Sequence, residues 1–251
     1  MSTIGVYGLG RFGSFWAELL ARSFPVCAYS RSPDRPTPPG VRRAGEDEVL
    51  SQPVLILCVA ISAVESVLER ARGRLAPDAL VMDTCSVKTY PVGLMEKLLP
   101  GRASILGTHP MFGPDSGGKS VSGLPMILCP ARIASRDLET WRSHFTAMGL
   151  SVSVMTPDEH DREAAFTQGI THYLGRVLSD FGVRTSPIGT VGYKKLLEIV
   201  EQTCNDPWQL FLDLQRYNPH TREMRARLVS SLQAMMTAID TAGAGQETGS
   251  P

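Results

Sequence analysis

The sequence has no excess of charge of either sign. Lys+Arg and Asp+Glu number 25 each, so the chain as a whole does not favour nucleic acid, an anionic membrane or a strongly charged partner, and any charge selectivity must be local. It has no paired-cysteine motif. Cysteines 27, 58, 85, 129 and 204 are odd in number, form no C-x-x-C and mostly fall in apolar runs such as Leu55-Ile56-Leu57-Cys58-Val59. That pattern argues against a disulfide framework or a zinc site and predicts reduced thiols in the cytoplasm. No apolar run approaches the ~20 residues that span a bilayer. The first residues enter a strand pattern directly, without the basic and apolar segments of a secretory leader. There is no internal repeat, and no metal site is expected. What is present is a 251-residue chain with 43% hydrophobic residues, enough for a packed core in one large or two modest domains.

Up to residue 155, short β-rich runs alternate with segments of helical periodicity, which predicts an α/β fold around a doubly wound sheet. The predicted strands are 4–7, 26–29, 54–59, 80–82, 104–107, 125–129 and 151–155, with helices over 11–22, 62–74, 87–98 and 135–148. From 156 the strands vanish. Helices are predicted over 158–181, 191–203, 207–217 and 219–239, so residues 156–240 read as an all-helical domain. Leu196, Leu197, Val200, Leu210, Phe211 and Leu214 give it more apolar surface than its helices need for themselves, which predicts a homodimer. The Gly/Ser/Thr-rich tail 241–251 is expected to be disordered.

Gly8-Leu9-Gly10-Arg11-Phe12-Gly13 follows the first strand and opens the first helix. In that setting a G-x-G-x-x-G marks a Rossmann-type dinucleotide-binding domain, here 1–155. Gly8 makes the tight turn, Gly10 lets the backbone approach a pyrophosphate, and Gly13 lets helix pack on strand, while the helix N-terminus faces the phosphates. The second strand ends Ala28-Tyr29-Ser30-Arg31, about twenty residues on, where an NAD-binding protein usually has an acid for the ribose. The acid is missing. Ser30 and Arg31 instead suit a 2′-phosphate, so NADP is the expected cofactor, with Asp34 the nearby residue that would argue otherwise. The expected cofactor-binding set is Gly8, Gly10, Arg11, Phe12, Gly13, Ser30, Arg31, Cys58 and Val59.

Further runs are more specific: Asp83-Thr84-Cys85-Ser86-Val87-Lys88, Gly107-Thr108-His109-Pro110-Met111-Phe112-Gly113-Pro114, Glu159-His160-Asp161, Thr171-His172-Tyr173-Leu174-Gly175-Arg176, and Gly192-Tyr193 leading to Glu201-Gln202-Thr203. They resemble the TyrA family of prephenate and arogenate dehydrogenases, in its plant-type branch, across nearly the whole chain. The resemblance implies oxidative decarboxylation of a cyclohexadienol, giving tyrosine from arogenate or 4-hydroxyphenylpyruvate from prephenate. His109, just after a predicted strand end, is the candidate base. Ser86, which also fits a helix N-cap, is expected to orient it. The resemblance places Gln168, His172, Thr190 and Tyr193 on the substrate side, and Gln168 and His172 share a helix face. It also puts Asp206 where an acid accompanies arogenate preference, although Asp206 fits an N-cap before Pro207 and Asn205 is adjacent. His144, His160 and His220 read as surface or structural residues. The competing readings are a prephenate dehydrogenase and a non-catalytic NADP-binding sensor.

Overall fold

Four-residue apolar runs, too short for a helix and bounded by turn residues, form the central strands of the computed structural model, which describes residues 2–244. In chain order the first domain comprises β1 (Ile4–Tyr7), α1 (Arg11–Ala21), β2 (Val26–Tyr29), β3 (Val41–Arg43), α2 (Glu46–Leu50) and β4 (Val54–Leu57). A 3-10 turn (Ile61–Ala63) then leads into α3 (Val64–Ala71), β5 (Leu80–Asp83), α4 (Thr89–Leu98), β6 (Ser104–Pro110), α5 (Pro114–Gly117), β7 (Pro125–Arg132), α6 (Ser135–Ala147) and β8 (Ser151–Val154).

The sheet order is β3-β2-β1-β4-β5-β6-β7-β8. The first six strands are parallel, and β7 reverses direction against β6. The order turns back between β1 and β4, which opens a crevice at their carboxyl ends, the place where such sheets bind ligands. Alternate residues feed two cores. Leu55, Leu57 and Val81 bury on one face; Ile56, Met82 and Leu106 bury on the other. A strand buried on both faces needs an uninterrupted apolar run, and that is how β4 and β5 read.

The helical domain follows as α7 (Pro157–Ala164), a π segment (Ala165–Gly169), α8 (Ile170–Phe181), α9 (Val191–Cys204), α10 (Trp208–Tyr217) and α11 (Thr221–Ala244). Thr156 starts it with a capping box, in which its hydroxyl accepts from Glu159 N–H and the Glu159 carboxylate accepts from Thr156 N–H. Gly175 lets α8 and α9 touch, since a Cβ there would lie 2.0 Å from Thr203 Oγ1.

Several boundaries differ from expectation. The helix predicted over 158–181 is interrupted by the π segment. β6 runs on through Pro110, because Thr108 and His109 pair with Leu128 and Ile127 of β7, so His109 lies inside a strand and not after it. β3, α2 and α5 went unpredicted, being three to five residues long. Phe211 and Leu214, expected at a dimer surface, are buried within their own chain. Of the tail expected over 241–251, residues 241–244 continue α11, and the remainder lies outside the described residues.

Candidate active site

A cleft of about 580 Å³ lies between the two domains at the crevice. One wall is the glycine loop with Cys58, Val59, Ser86 and His109; the other is Gln168, His172, Gln202, Thr203, Asp206 and Gln209.

The glycine loop has the shape a dinucleotide needs. Gly8 has φ +111°, and a Cβ on it would sit 2.3 Å from Cys58 O; one on Gly13 would sit 2.0 Å from Gly8 O. Both positions exclude a side chain. Gly10 differs, because a Cβ there meets nothing within 4 Å. Its backbone borders open space beside an α1 N-terminus that no side chain caps, leaving N–H donors for a phosphate. At the end of β2, Ser30 is half-buried and Arg31 exposed. Sequence reasoning missed Arg43, because β3 is a short edge strand. Its guanidinium donates to the carbonyls of Ser30 (3.1 Å), Ser32 (3.0 Å) and Arg35 (2.8 Å), fixing this loop and adding a second positive charge to it.

Beneath the cleft, β5 and β6 are joined by a fully buried pair. Lys88 Nζ donates to Asp83 and to Thr108 O, and Asp83 also accepts from Cys85 N–H and Thr108 N–H. The α4 N-cap is Lys88, so Ser86 lies in the preceding loop and does not cap the helix. Burial pushes the Cys85 thiol well above its usual range and the Cys58 thiol up to about 12. Neither can act as a thiolate nucleophile near neutrality.

His109 lines the cleft but is otherwise buried. Its Nδ1 lies 2.8 Å from Nε2 of His160, whose Nδ1 is 2.8 Å from Asp161 Oδ1. Asp161 also accepts the N–H groups of Lys88 (2.6 Å) and Thr89 (2.9 Å) at the start of α4. Burial, reinforced by His160, Lys88 and His172, drives the His109 pKa well below that of free imidazole. Burial likewise lowers His160, against the pull of Asp161. Burial works to raise the Asp161 carboxyl, but its hydrogen bonds from His160, Thr89 and Lys88 prevail and hold it below its usual range. His160 was read from sequence as surface or structural, yet it is buried against the candidate base. Its partner is 51 residues away, beyond the reach of local pattern.

On the opposite wall, Gln168 Oε1 and His172 Nδ1 are buried polar atoms without a protein partner. Buried polar groups are normally bonded, so two unpartnered atoms on residues that line one cleft mark this wall as a place where a ligand could add partners. Gln168 sits in the π segment, an irregularity frequent at functional sites. Asp206 also faces the cleft, pairing with Arg11 at 3.2 Å while Arg11 pairs with Asp115. Its side chain does not cap α10, whose N-cap is Pro207, and Asn205 is absent from the cleft wall. Asp213, which sequence reasoning passed over, latches the domains together by accepting Ser62 N–H (3.0 Å) and Oγ–H (2.8 Å).

Thr190 and Tyr193 do not join the site. Thr190 Oγ1 caps α9 through Tyr193 N–H, and the Tyr193 hydroxyl donates to Arg184 O at 2.6 Å. Both side chains are used at the exposed start of α9, and neither lines the cleft of this chain.

Residues 40–154 match the model of the prephenate dehydrogenase nucleotide-binding domain, and residues 177–247 match that of the TYRAAT1-like C-terminal domain. The chain is 39% identical over 244 residues to the chloroplastic arogenate dehydrogenase 2 of Arabidopsis thaliana, covering 92% of this chain and 68% of that one. It is 35% identical over 248 residues to arogenate dehydrogenase 1 of the same plant, covering 94% of this chain but only 39% of that longer protein. Two solved structures share the fold: Synechocystis arogenate dehydrogenase (TM-score 0.69, 21% identity) and Aquifex aeolicus prephenate dehydrogenase (TM-score 0.75, 18% identity). Each comparison covers 97% of this chain and 94% of the other.

Proposed function

The chain belongs to the arogenate and prephenate dehydrogenase family of oxidoreductases, and we propose that it converts arogenate to tyrosine by oxidative decarboxylation, with NADP as cofactor. The observation that carries this reading is a neutral, desolvated His109 in a cleft shared by the glycine loop and Asp206.

A nicotinamide cofactor held at Gly8, Gly10 and Gly13 would supply the acceptor for a hydride from the carbinol carbon. His109 Nε2 takes the hydroxyl proton as the C–H bond breaks, which prevents positive charge from building at that carbon. The electron pair of the C–C bond to the departing carboxylate then flows through the ring, which becomes aromatic, to the oxygen. The same imidazole returns the proton, and the phenol forms with no net proton change. Ser86 stands on this wall to hold the substrate hydroxyl, while Gln168 and His172 line the other wall beside the substrate. Asp206 offers a carboxylate to the ammonium group that distinguishes arogenate from the keto acid prephenate.

NADP is supported by the missing acid at Ser30 and by the cations Arg31 and Arg43. A homodimer is supported by Val229, Leu232, Met235, Met236 and Ile239, exposed on α11 at the spacing of one helical stripe. Among the described residues no helix is long and apolar enough to cross a membrane. Five unpaired thiols fit a reducing compartment such as the cytoplasm.

The test is the initial rate of reduced-cofactor formation with arogenate and with prephenate, each with NADP and with NAD. A higher kcat/KM for arogenate with NADP is expected. A preference for prephenate overturns the Asp206 argument, and turnover of neither overturns the enzyme assignment in favour of a cofactor-binding sensor.

A further inference from the structure

The hydrogen-bond chain behind His109 carries an inference that rests on His109 as the base. We propose that His160 is a positioning residue, held by Asp161, that fixes the His109 tautomer with Nδ1 protonated and the Nε2 lone pair facing the cleft.

Asp161 closes the far end of the hydrogen-bond chain. Asp161 is ionised and accepts only: its two oxygens already receive the backbone N–H groups that open α4. The remaining partner, His160 Nδ1, must therefore be the donor. A neutral imidazole carries one proton, so His160 Nε2 is an acceptor. At 2.8 Å from it, His109 Nδ1 must donate. That assigns the single proton of neutral His109 to Nδ1 and leaves Nε2 unprotonated. Burial keeps both imidazoles neutral, and a carboxylate anchored to a helix start sets the direction of both hydrogen bonds.

The chain also serves the charged state. When Nε2 gains the substrate proton, the Nδ1–H bond to His160 becomes charge-assisted, and the Asp161 carboxylate stands one ring away. The titratable or charged groups around His109 are His160, His172 and Lys88, with Asp83 and Asp161 facing His160. Lys88 is paired to Asp83, which leaves Asp161 as the carboxylate in direct contact with the histidine chain. The three groups come from a strand of the first domain and a helix of the second, so the base acquires its working form only when the domains are docked.

The test reads the tautomer directly. Histidine ¹⁵N spectra of the free protein near pH 7.5, assigned with His109→Asn, are expected to show His109 with Nε2 unprotonated. In His160→Leu the buried Nδ1–H loses its acceptor, so the proton is expected to move to Nε2, where cleft water can accept it. kcat should then fall by about 10²–10⁴ with KM changed far less. His160→Gln, whose amide oxygen can still accept from Nδ1, is expected to retain the wild-type tautomer and to recover at least tenfold of the lost kcat. A wild-type His109 protonated at Nε2, or a His160→Leu protein with unchanged tautomer and kcat, overturns the proposal. The two readings fail separately. The expected tautomer without turnover of arogenate or prephenate removes the reaction and keeps the positioning chain; turnover with the opposite tautomer does the reverse.

Discussion

Arg11 and Asp206 form an ion pair at 3.2 Å that joins the glycine loop of one domain to the opposite wall of the cleft. Asp115 shares the same guanidinium, so this cation balances two carboxylates at the cleft mouth. The cluster is partly exposed, and such pairs add only about 0–1 kcal/mol to stability. Its consequence is for selectivity. Asp206→Asn is expected to leave the melting temperature nearly unchanged while lowering kcat/KM for arogenate relative to prephenate by roughly 10- to 100-fold, the scale of one charged hydrogen bond. Steady-state kinetics on both substrates checks it.

The glycines of the loop separate folding from binding. Gly10→Ala places its Cβ in open space and is expected to fold normally yet weaken cofactor binding by roughly tenfold or more, since the methyl group occupies the pyrophosphate approach. Gly13→Ala meets backbone at 2.0 Å and is expected to destabilise the protein by about 1–3 kcal/mol or more through overpacking. Denaturant melts and cofactor titration by fluorescence distinguish the two.

Ser30→Asp restores the acid that the second strand lacks. It is expected to shift the ratio of kcat/KM values from NADP toward NAD by at least about tenfold, because a carboxylate repels a 2′-phosphate and accepts a ribose hydroxyl. An unchanged ratio would show that this loop does not read the phosphate.

Lys88→Met removes one partner of the buried pair with Asp83 and strands a carboxylate beneath the active site. A loss of about 3–5 kcal/mol is expected by urea denaturation. Because Lys88 also holds Thr108 O, next to His109, kcat is expected to fall even in the folded fraction.

Acid should unfold this protein in a defined window. His109, His160 and His172 all have folded-state pKa values below the ordinary 6.5, with burial the largest cause in each. The unfolded chain then binds protons that the folded one refuses. Their contribution to stability is complete above about pH 6.5 and is lost progressively as pH falls below it. Asp161, whose folded pKa is also lowered, adds a loss in the same direction further down. Melting temperatures recorded from pH 7.5 to pH 4.5 should decline steadily below about pH 6.5, and a flat profile would contradict the buried neutral histidines.

The sequence by itself determined the sheet and its crevice. Apolar runs such as Val54–Leu57 allow little but a buried parallel strand, and Gly8, Gly10 and Gly13 follow the first of these strands at a spacing that one turn geometry requires. The family resemblance, carried by local runs, also picked out Ser86, His109, Gln168, His172 and Asp206, and these five line the cleft. What only the tertiary structure decided are the pairings across long separations. His160 lies in an acidic first turn that reads as solvated helix, and it is buried against a strand residue 51 positions earlier. Arg43 was hidden because a three-residue edge strand has too little periodicity to be seen, and Asp213 because its partner is 151 residues away. Thr190 and Tyr193 show the reverse, residues plausible by type whose hydrogen bonds are used locally at a helix start. Periodicity and turn chemistry act over a few residues and are written into the chain, whereas the donor and acceptor that meet in a cleft are chosen by how two domains dock.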